Sequence, residues 1–273
     1  MQPSAPAPGA RAPRGPVPTR AVPPGWWVEG LLLAGFVVLT VALVRWPPLL
    51  GVDRAVRDWC DAHRPSWLHT ILVGFDLLGQ RGLVLPLVLV VAVVLAVRWR
   101  TVRPVLLAVG AATVNSVVIE VLKQWTSRGA PHHGSIEMFS GDPAVEYPSG
   151  HVSNGLVYYA VLAFLLAGYL GPAPRALLRW APGVLVFLGT TYLAWHWLTD
   201  SVGGYLLGLL QVRLLTRLPW ATMPPPRWFP GGRARHTPGN RRTRPRPATE
   251  RRDDSAKRDA RRSRRRPARA RQA

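Results

Sequence analysis

Six long apolar stretches dominate the middle of the chain and constrain its fold more than any other feature. They occupy residues 26–50, 82–97, 104–122, 152–170, 181–198 and 202–218. A helix needs roughly 20 mostly apolar residues to cross the hydrocarbon core of a bilayer, and inside lipid the backbone must satisfy its own hydrogen bonds. The sequence therefore predicts an all-α fold, an integral membrane bundle of about six transmembrane helices.

The charge of the chain is segregated from these stretches. Of the formal net charge of +21, residues 221–273 carry +14, because they hold 17 arginines and one lysine against four acidic residues. Residues 1–25 are rich in proline and alanine, a composition typical of disorder. We therefore predict a disordered segment at 1–25, a membrane domain at 26–218 and a disordered basic tail at 219–273.

The connections between the second and third stretches, and between the fourth and fifth, are basic and contain no acidic residue. Their arginines are Arg98, Arg100, Arg103, Arg175 and Arg179. Basic residues in short loops favour the cytoplasmic side. We therefore expect a multi-pass protein of the cell membrane with both termini in the cytoplasm. Residues 51–81, residues 123–149 and the turn after His196 are then extracytoplasmic loops.

The segment "EYPSGHVSNG", residues 146–155, places polar residues where the fourth apolar stretch begins. Ser149 is a favoured N-cap residue, and Gly150 allows a ligand to approach the backbone closely. A helix N-terminus binds anions because its N–H groups are free and its dipole end is positive. The plain alternative is a structural cap that follows a proline turn.

Further polar residues fall at the same predicted membrane face. His196 and Asp200 are four residues apart, so on a helix their side chains would meet, and the carboxylate would fix the tautomer of the imidazole. Lys123 ends the third stretch, and Arg128 follows it. With His151 they suggest a phosphate site: cations for the charge, one histidine to attack phosphorus and another to protonate the leaving oxygen. The alternative for the two cations is interfacial anchoring near headgroups.

The order of a lysine, "PSGH" and His-x3-Asp resembles the type 2 phosphatidic acid phosphatase superfamily, which includes lipid phosphatases and vanadium haloperoxidases. The resemblance covers about residues 53–218. It implies that Lys123, Ser149 and Gly150 bind phosphate and that His151 is the general acid. It further implies that His196 is the nucleophile, which forms a phosphohistidine, and that Asp200 orients it. No metal or other cofactor is expected.

The chain departs from the family pattern at two arginines. Ala130 stands where the Lys-x6-Arg-Pro motif has its arginine, and Gly189 and Thr190 stand where the third motif has Ser-Arg. Removing one positioned donor typically costs on the order of 100- to 1000-fold in rate. The candidate replacements for these phosphate contacts are Arg128, His132, His133, Thr190 and Thr191.

Two functions remain open at this point. The first is a membrane phosphatase that acts on a phosphorylated membrane lipid: phosphatidic acid, phosphatidylglycerol phosphate or a polyprenyl (pyro)phosphate. The second is a catalytically degenerate family member that binds or moves such a lipid. For the basic tail, anionic lipid headgroups are favoured over nucleic acid as the partner, and a tail that only helps to fix topology is the alternative. Cys60 is the single cysteine, which excludes an internal disulfide.

Overall fold

A computed structural model of the protein describes residues 25–218, and these form eight α-helices. The helices are α1 (Trp27–Arg45), α2 (Pro47–Ala62), α3 (Ser66–Leu77), α4 (Arg81–Trp99), α5 (Arg103–Thr126), α6 (Gly150–Leu165), α7 (Pro172–Tyr192) and α8 (Leu198–Arg217). The all-α prediction is confirmed for this part of the chain. The predictions made for the Pro/Ala-rich segment and the basic tail fall on residues 1–24 and 219–273, outside the described range.

Contacts between helix termini define two ends of the bundle. At one end, Glu29 of α1 pairs with Arg213 and Arg217 of α8. At the same end, the rings of Trp99 and Tyr169 stack 6.4 Å apart. The opposite end holds the C-termini of α5 and α7 and the N-termini of α6 and α8, together with α2 and α3. We refer to this opposite end as the site end.

Helix α6 forms the centre of the bundle. Twelve of its 16 residues are buried, and they pack with apolar side chains of α4, α5 and α8 in one core cluster. A second cluster joins α1 and α8 to the segment that precedes α6, where Tyr147 is fully buried. The helix that carries His151 is therefore fixed on all sides.

The membrane-facing surface is apolar on several helices. By length and composition alone, α1, α4 and α5 are apolar enough to cross a membrane, while α6 is apolar but shorter. Exposed valines such as Val38, Val93 and Val117 face outward from these three long helices. These are the side chains that a bilayer would cover. A count of six spans also requires α6, α7 and α8 to cross the membrane, so that number stays a prediction.

The prediction that the first apolar stretch continues to residue 50, and that residues 51–81 form a loop, is wrong. Helix α1 ends at Arg45, and two prolines at the start of α2 lack the N–H groups that a continuous helix would need. The charged residues of α2 do not prevent a helix, because most of them face outward, while Leu50, Asp53 and Cys60 are buried. Helices α2 and α3 therefore lie at the site end.

Polar side chains inside the bundle form a hydrogen-bonded cluster that joins α5, α6 and α8. The amide Nδ2 of Asn115 donates to Asn154 at 2.7 Å, and the Oδ1 of Asn115 accepts from Ser153 at 2.6 Å and from Gln211 at 3.0 Å. Asn154 also donates to the carbonyl of Gly79 at 2.9 Å. The cluster fixes the α3–α4 turn against α6.

Candidate active site

The start of α6 has the cap that the sequence predicts. Ser149 is the N-cap residue, and its Oγ accepts a hydrogen bond from the N–H of Val152 at 3.4 Å. The N–H of Ser149 donates to the carbonyl of Asp200 at 2.9 Å, which ties α6 to α8. The first backbone N–H groups of a helix have no partner within it. The N-terminus of α6 can therefore receive an anion.

Two glycines bring neighbouring backbone against this helix start. A Cβ on Gly204 of α8 would lie 2.3 Å from the carbonyl oxygen of Ser149. A Cβ on Gly79, in the α3–α4 turn, would lie 2.5 Å from the carbonyl oxygen of His151. Both positions require glycine, because any side chain would push the backbone of Ser149–His151 away from its neighbours. The backbone of these three residues is thus held from two sides.

His196 faces His151 across the site end. It lies in the segment between α7 and α8, where the carbonyl of Thr190 accepts the N–H groups of Trp195 and His196. The two imidazole rings, 45 positions apart in the sequence, have centroids 5.7 Å apart and planes inclined by 62°. The side chain of His196 is 2% exposed, whereas that of His151 is 37% exposed. The structure brings the two predicted histidines together.

The side chains of His196 and Asp200 lie next to each other, but not on one helix as expected, because α8 begins only at Leu198. Trp197 is the N-cap residue in an extended conformation, and its N–H donates to Asp200 Oδ2 at 3.1 Å. This capping interaction occupies the carboxylate. His196 Nδ1 lies 3.7 Å from Asp200 Oδ2 and has no hydrogen-bond partner. The two side chains are adjacent, but the structure contains no hydrogen bond between them.

Arg128 lies beneath the site and is fully buried. Its guanidinium donates to Asp200 at 2.6 Å and to Asp53 of α2 at 2.5 Å. It also donates to the hydroxyl of Thr199 at 2.7 Å and, through Nε, to the carbonyl of Ile136 at 2.8 Å. Both carboxylates are likewise inaccessible to solvent. The buried ion pairs of Arg128 therefore connect α2 and α8 to the segment between α5 and α6, and they occupy the guanidinium.

Lys123 lies at the site, in the last turn of α5. Its Nζ donates to Glu146 Oε2 at 2.9 Å, and the same oxygen lies 3.4 Å from His196 Nδ1. Glu146 is partly exposed and connects two predicted site residues. The sequence alone does not indicate a role for Glu146, because its only signal there is its position just before "PSGH", separated from it by Tyr147. It is a site residue that sequence reasoning missed.

The other candidate replacements for the missing arginines have different partners. Thr190 donates to the carbonyl of Val186 at 2.9 Å, and Thr191 donates to Ser201 at 2.8 Å. His132 pairs with Asp61 at 2.9 Å on the exposed surface. These contacts hold the helices or the loop together. None of these hydrogen bonds or ion pairs involves an imidazole of the histidine pair.

Asp76 is a second acidic residue that the sequence did not reveal, because it lies in the segment expected to be a loop. It is the penultimate residue of α3, and its Oδ1 lies 3.9 Å from His151 Nε2. Burial raises the pKa of its carboxyl group from 3.8 to about 6, while the nearby charge of His196 opposes that rise.

Within residues 25–218, no group of three or more His, Cys, Asp or Glu side chains is placed to hold a metal ion.

The fold and the site together define a membrane protein that presents two histidines, a lysine and a helix N-terminus at one end of a helical bundle. The chain belongs to the PAP2 superfamily, whose model matches residues 82–224, more than half of its length. This membership confirms the family resemblance, and with it the predicted enzyme class, a membrane phosphatase.

One match by sequence and one match by structure agree with this assignment. Phosphatidylglycerophosphatase B of Bacillus subtilis (strain 168) is 26% identical over 180 residues, which cover 64% of this chain and 87% of the relative. The crystal structure of a transmembrane PAP2-type phosphatidylglycerolphosphate phosphatase from Bacillus subtilis matches with a TM-score of 0.61 and 25% identity. That match covers 69% of this chain and 94% of the solved chain. The prediction of a membrane helix bundle is confirmed.

Proposed function

We propose that this protein is a membrane lipid phosphatase that releases inorganic phosphate from a phosphorylated glycerolipid of the phosphatidylglycerol phosphate type. The observation that carries the proposal is the pair of facing histidines, with ring centroids 5.7 Å apart, at the N-terminus of α6. The names of the two matches favour this lipid over phosphatidic acid and polyprenyl phosphates.

The geometry supports His196 as the nucleophile. Its Nδ1 faces the carboxylates of Glu146 and Asp200, at 3.4 and 3.7 Å, so that a proton on Nδ1 is stabilised there. Nε2 then keeps its lone pair for phosphorus. As the bond from Nε2 to phosphorus forms, the bond from phosphorus to the lipid oxygen breaks. The oxygen keeps the electron pair and takes a proton from His151.

The second half of the reaction regenerates the site. A water molecule attacks the phosphorus of the phosphohistidine and gives a proton to His151, which now acts as a base. The phosphorus–nitrogen bond breaks, its electron pair returns to Nε2 of His196, and inorganic phosphate leaves. Lys123 and the N–H groups at the start of α6 bind the phosphate oxygens in both steps.

Phosphate release by the purified protein in detergent tests the proposal. We expect release from phosphatidylglycerol phosphate and its loss in His196→Ala. His69→Ala removes an exposed histidine of α3 and serves as the matched control. Rapid denaturation during turnover should trap labelled phosphate on wild-type protein as an acid-labile adduct. Retained activity in folded His196→Ala would refute the mechanism.

A degenerate, lipid-binding protein is the second candidate. The observation in its favour is that Arg128 and Thr190 are held in other contacts, so neither of these two side chains is free to replace a family arginine. Tight binding of the labelled lipid, with no release and no trapped adduct, would establish this candidate instead.

We further propose that the site end is extracytoplasmic and that both termini are cytoplasmic. The opposite end carries the basic connection around Arg100 and the arginines at the end of α8. Arg175 and Arg179, which the sequence places in a connection, lie instead in the first turns of α7, at this same end. Single cysteines introduced at exposed Ala144 and Ala173, in a Cys60→Ser background, test this orientation. An impermeant thiol reagent should label intact cells at Ala144→Cys only, and the reverse pattern would overturn the proposal.

A further inference from the structure

Asp76 is a buried carboxylate that the proposed reaction does not use. Its side chain is 5% exposed, and its Oδ1 has no hydrogen-bond partner. That atom lies 3.9 Å from Nε2 of His151, the closest approach of any carboxylate to this imidazole among the ion pairs of residues 25–218. Burying a carboxylate without a partner costs free energy, so this position calls for a functional explanation.

The position of Asp76 is fixed by backbone contacts on two sides. The N–H of Gly79 donates to the carbonyl of Asp76 at 2.8 Å, and Asn154 of α6 donates to the carbonyl of Gly79 at 2.9 Å. Gly79 itself packs against the backbone of His151. On the other side, Gly189 of α7 packs against the backbone N of Asp76. These contacts therefore hold the carboxylate of Asp76 next to the imidazole of His151.

His151 needs a nearby negative charge for its assigned role. A general acid must carry a proton before the leaving oxygen departs, and burial opposes a charged imidazole. The charged neighbours that act on it from other elements are His196, before α8, and Lys123, on α5. Both are basic, and Glu146 lies against those two side chains instead. Asp76 is the group placed to balance them.

Resting on the proposed function, we infer that Asp76 is a positioning residue for the general acid. Its carboxylate orients the imidazole of His151 and stabilises the protonated form, which delivers the proton to the lipid oxygen. Asp76 does not exchange a covalent bond with the substrate. Its effect should be confined to steps in which His151 gives or takes a proton.

The test compares Asp76→Asn with Asp58→Asn, which removes an exposed carboxylate on α2. Two substrates are used: the lipid, whose alkoxide needs a proton to leave, and p-nitrophenyl phosphate, whose phenolate leaves without one. We expect Asp76→Asn to slow phosphohistidine formation from the lipid by about 10- to 100-fold, because general acid catalysis is worth roughly 100- to 10,000-fold. Formation from the aryl ester should change little. Equal losses on both substrates would overturn the inference.

The dependence on pH gives an independent readout. Asparagine resembles a protonated aspartate, and the pKa of Asp76 is raised to about 6. The wild type should therefore exceed Asp76→Asn above pH 6, and the difference should vanish as the pH falls towards 5. In a His151→Ala background, Asp76→Asn should cause no further loss on the lipid. An additional loss there would contradict a role that acts through His151.

Failure of the proposed function can be told apart from failure of this inference. If the wild type released no phosphate from any lipid, the proposed function would fail. The pKa of His151 could still be measured from the pH dependence of its imidazole ¹⁵N shifts, assigned with His151→Gln. A lower pKa of His151 in Asp76→Asn supports the inference, and an unchanged pKa overturns it, whether or not the protein turns over.

Discussion

Replacement of Arg128 by alanine should destabilise the protein severely. The arginine and its two partners, Asp53 and Asp200, are all inaccessible to solvent. The substitution leaves two carboxylates buried without a counter-charge and also removes hydrogen bonds to Thr199 and Ile136. Removing one partner of a buried ion pair costs roughly 3–5 kcal/mol.

The single cysteine supplies the assay. Cys60 is 3% exposed, and burial raises the pKa of its thiol, so the native protein should react slowly with a thiol-reactive fluorophore. Unfolding in detergent exposes the thiol and gives a signal. For a domain of about 200 residues, each kcal/mol lost from the free energy of unfolding lowers Tm by roughly 2–4 °C. Arg128→Ala should therefore unfold about 6–20 °C below the wild type.

Arg54→Ala is the matched control, because Arg54 is an exposed arginine on the same helix as Asp53. We expect its Tm to change by about 2 °C or less. Adding Asp53→Asn to Arg128→Ala should recover part of the lost stability, because one uncompensated charge disappears. A Tm of Arg128→Ala close to that of the wild type, together with weaker binding of inorganic phosphate, would refute this reasoning and restore Arg128 as a phosphate ligand.

Three further predictions concern the site end. Gly204→Ala should abolish phosphate release, because its Cβ would lie 2.3 Å from the carbonyl oxygen of Ser149. Gly110→Ala, which has open space at its Cβ, should leave phosphate release unchanged. Equal activities of the two variants would contradict the close approach of Gly204 to Ser149. Glu146→Gln should lower the inhibition constant of inorganic phosphate by up to about fivefold. Lys123 loses a partly exposed ion pair worth roughly 0–1 kcal/mol and becomes available to phosphate. Weaker inhibition by phosphate would mean that Glu146 holds Lys123 in place. Asp76→Asn should raise Tm at pH 7.5, because a pKa raised from 3.8 to about 6 removes roughly 3 kcal/mol of stability as the pH rises through that range. The gain should shrink towards pH 4, and a gain that is independent of pH would exclude the carboxyl group as its source.

The parts of the fold that depend on apolar length were predictable from the sequence. The boundaries of α4 and α5 fall within a few residues of the predicted stretches, because only a helix can place such residues in lipid. Helices α2 and α3 were missed, since their mixture of charged and apolar residues has neither the length nor the continuous apolar character of a span. Asp76 was missed with them, because its role depends on a contact with a helix 75 positions further along the chain.

The site was predictable where local sequence determines local geometry. Ser149 caps α6 as expected, since its hydroxyl needs only the next turn of the same helix. The partners of Arg128 and Asp200 were not predictable in this way. Asp200 belongs to a capping interaction with Trp197, and Arg128 reaches Asp53 across 75 positions. Charge alone indicated that Arg128 was available for phosphate, but the packed structure gives it two aspartates.

The hydrogen-bonded cluster inside the bundle has a consequence for biosynthesis. At 1.5 Å per residue, the 16 residues of α6 span about 24 Å, less than the roughly 30 Å of a hydrocarbon core, and they include Ser153 and Asn154. Such a helix gains little from entering lipid by itself. The bond between Asn115 and Gln211 shows that α8, made last among these helices, completes the cluster. A ribosome-bound chain that lacks α8 therefore has an incomplete cluster, and it also lacks Asp200, whose carbonyl accepts from the N–H of Ser149. The site is not assembled in such a chain, so hydrolysis of membrane lipid can begin only when synthesis of the bundle is complete.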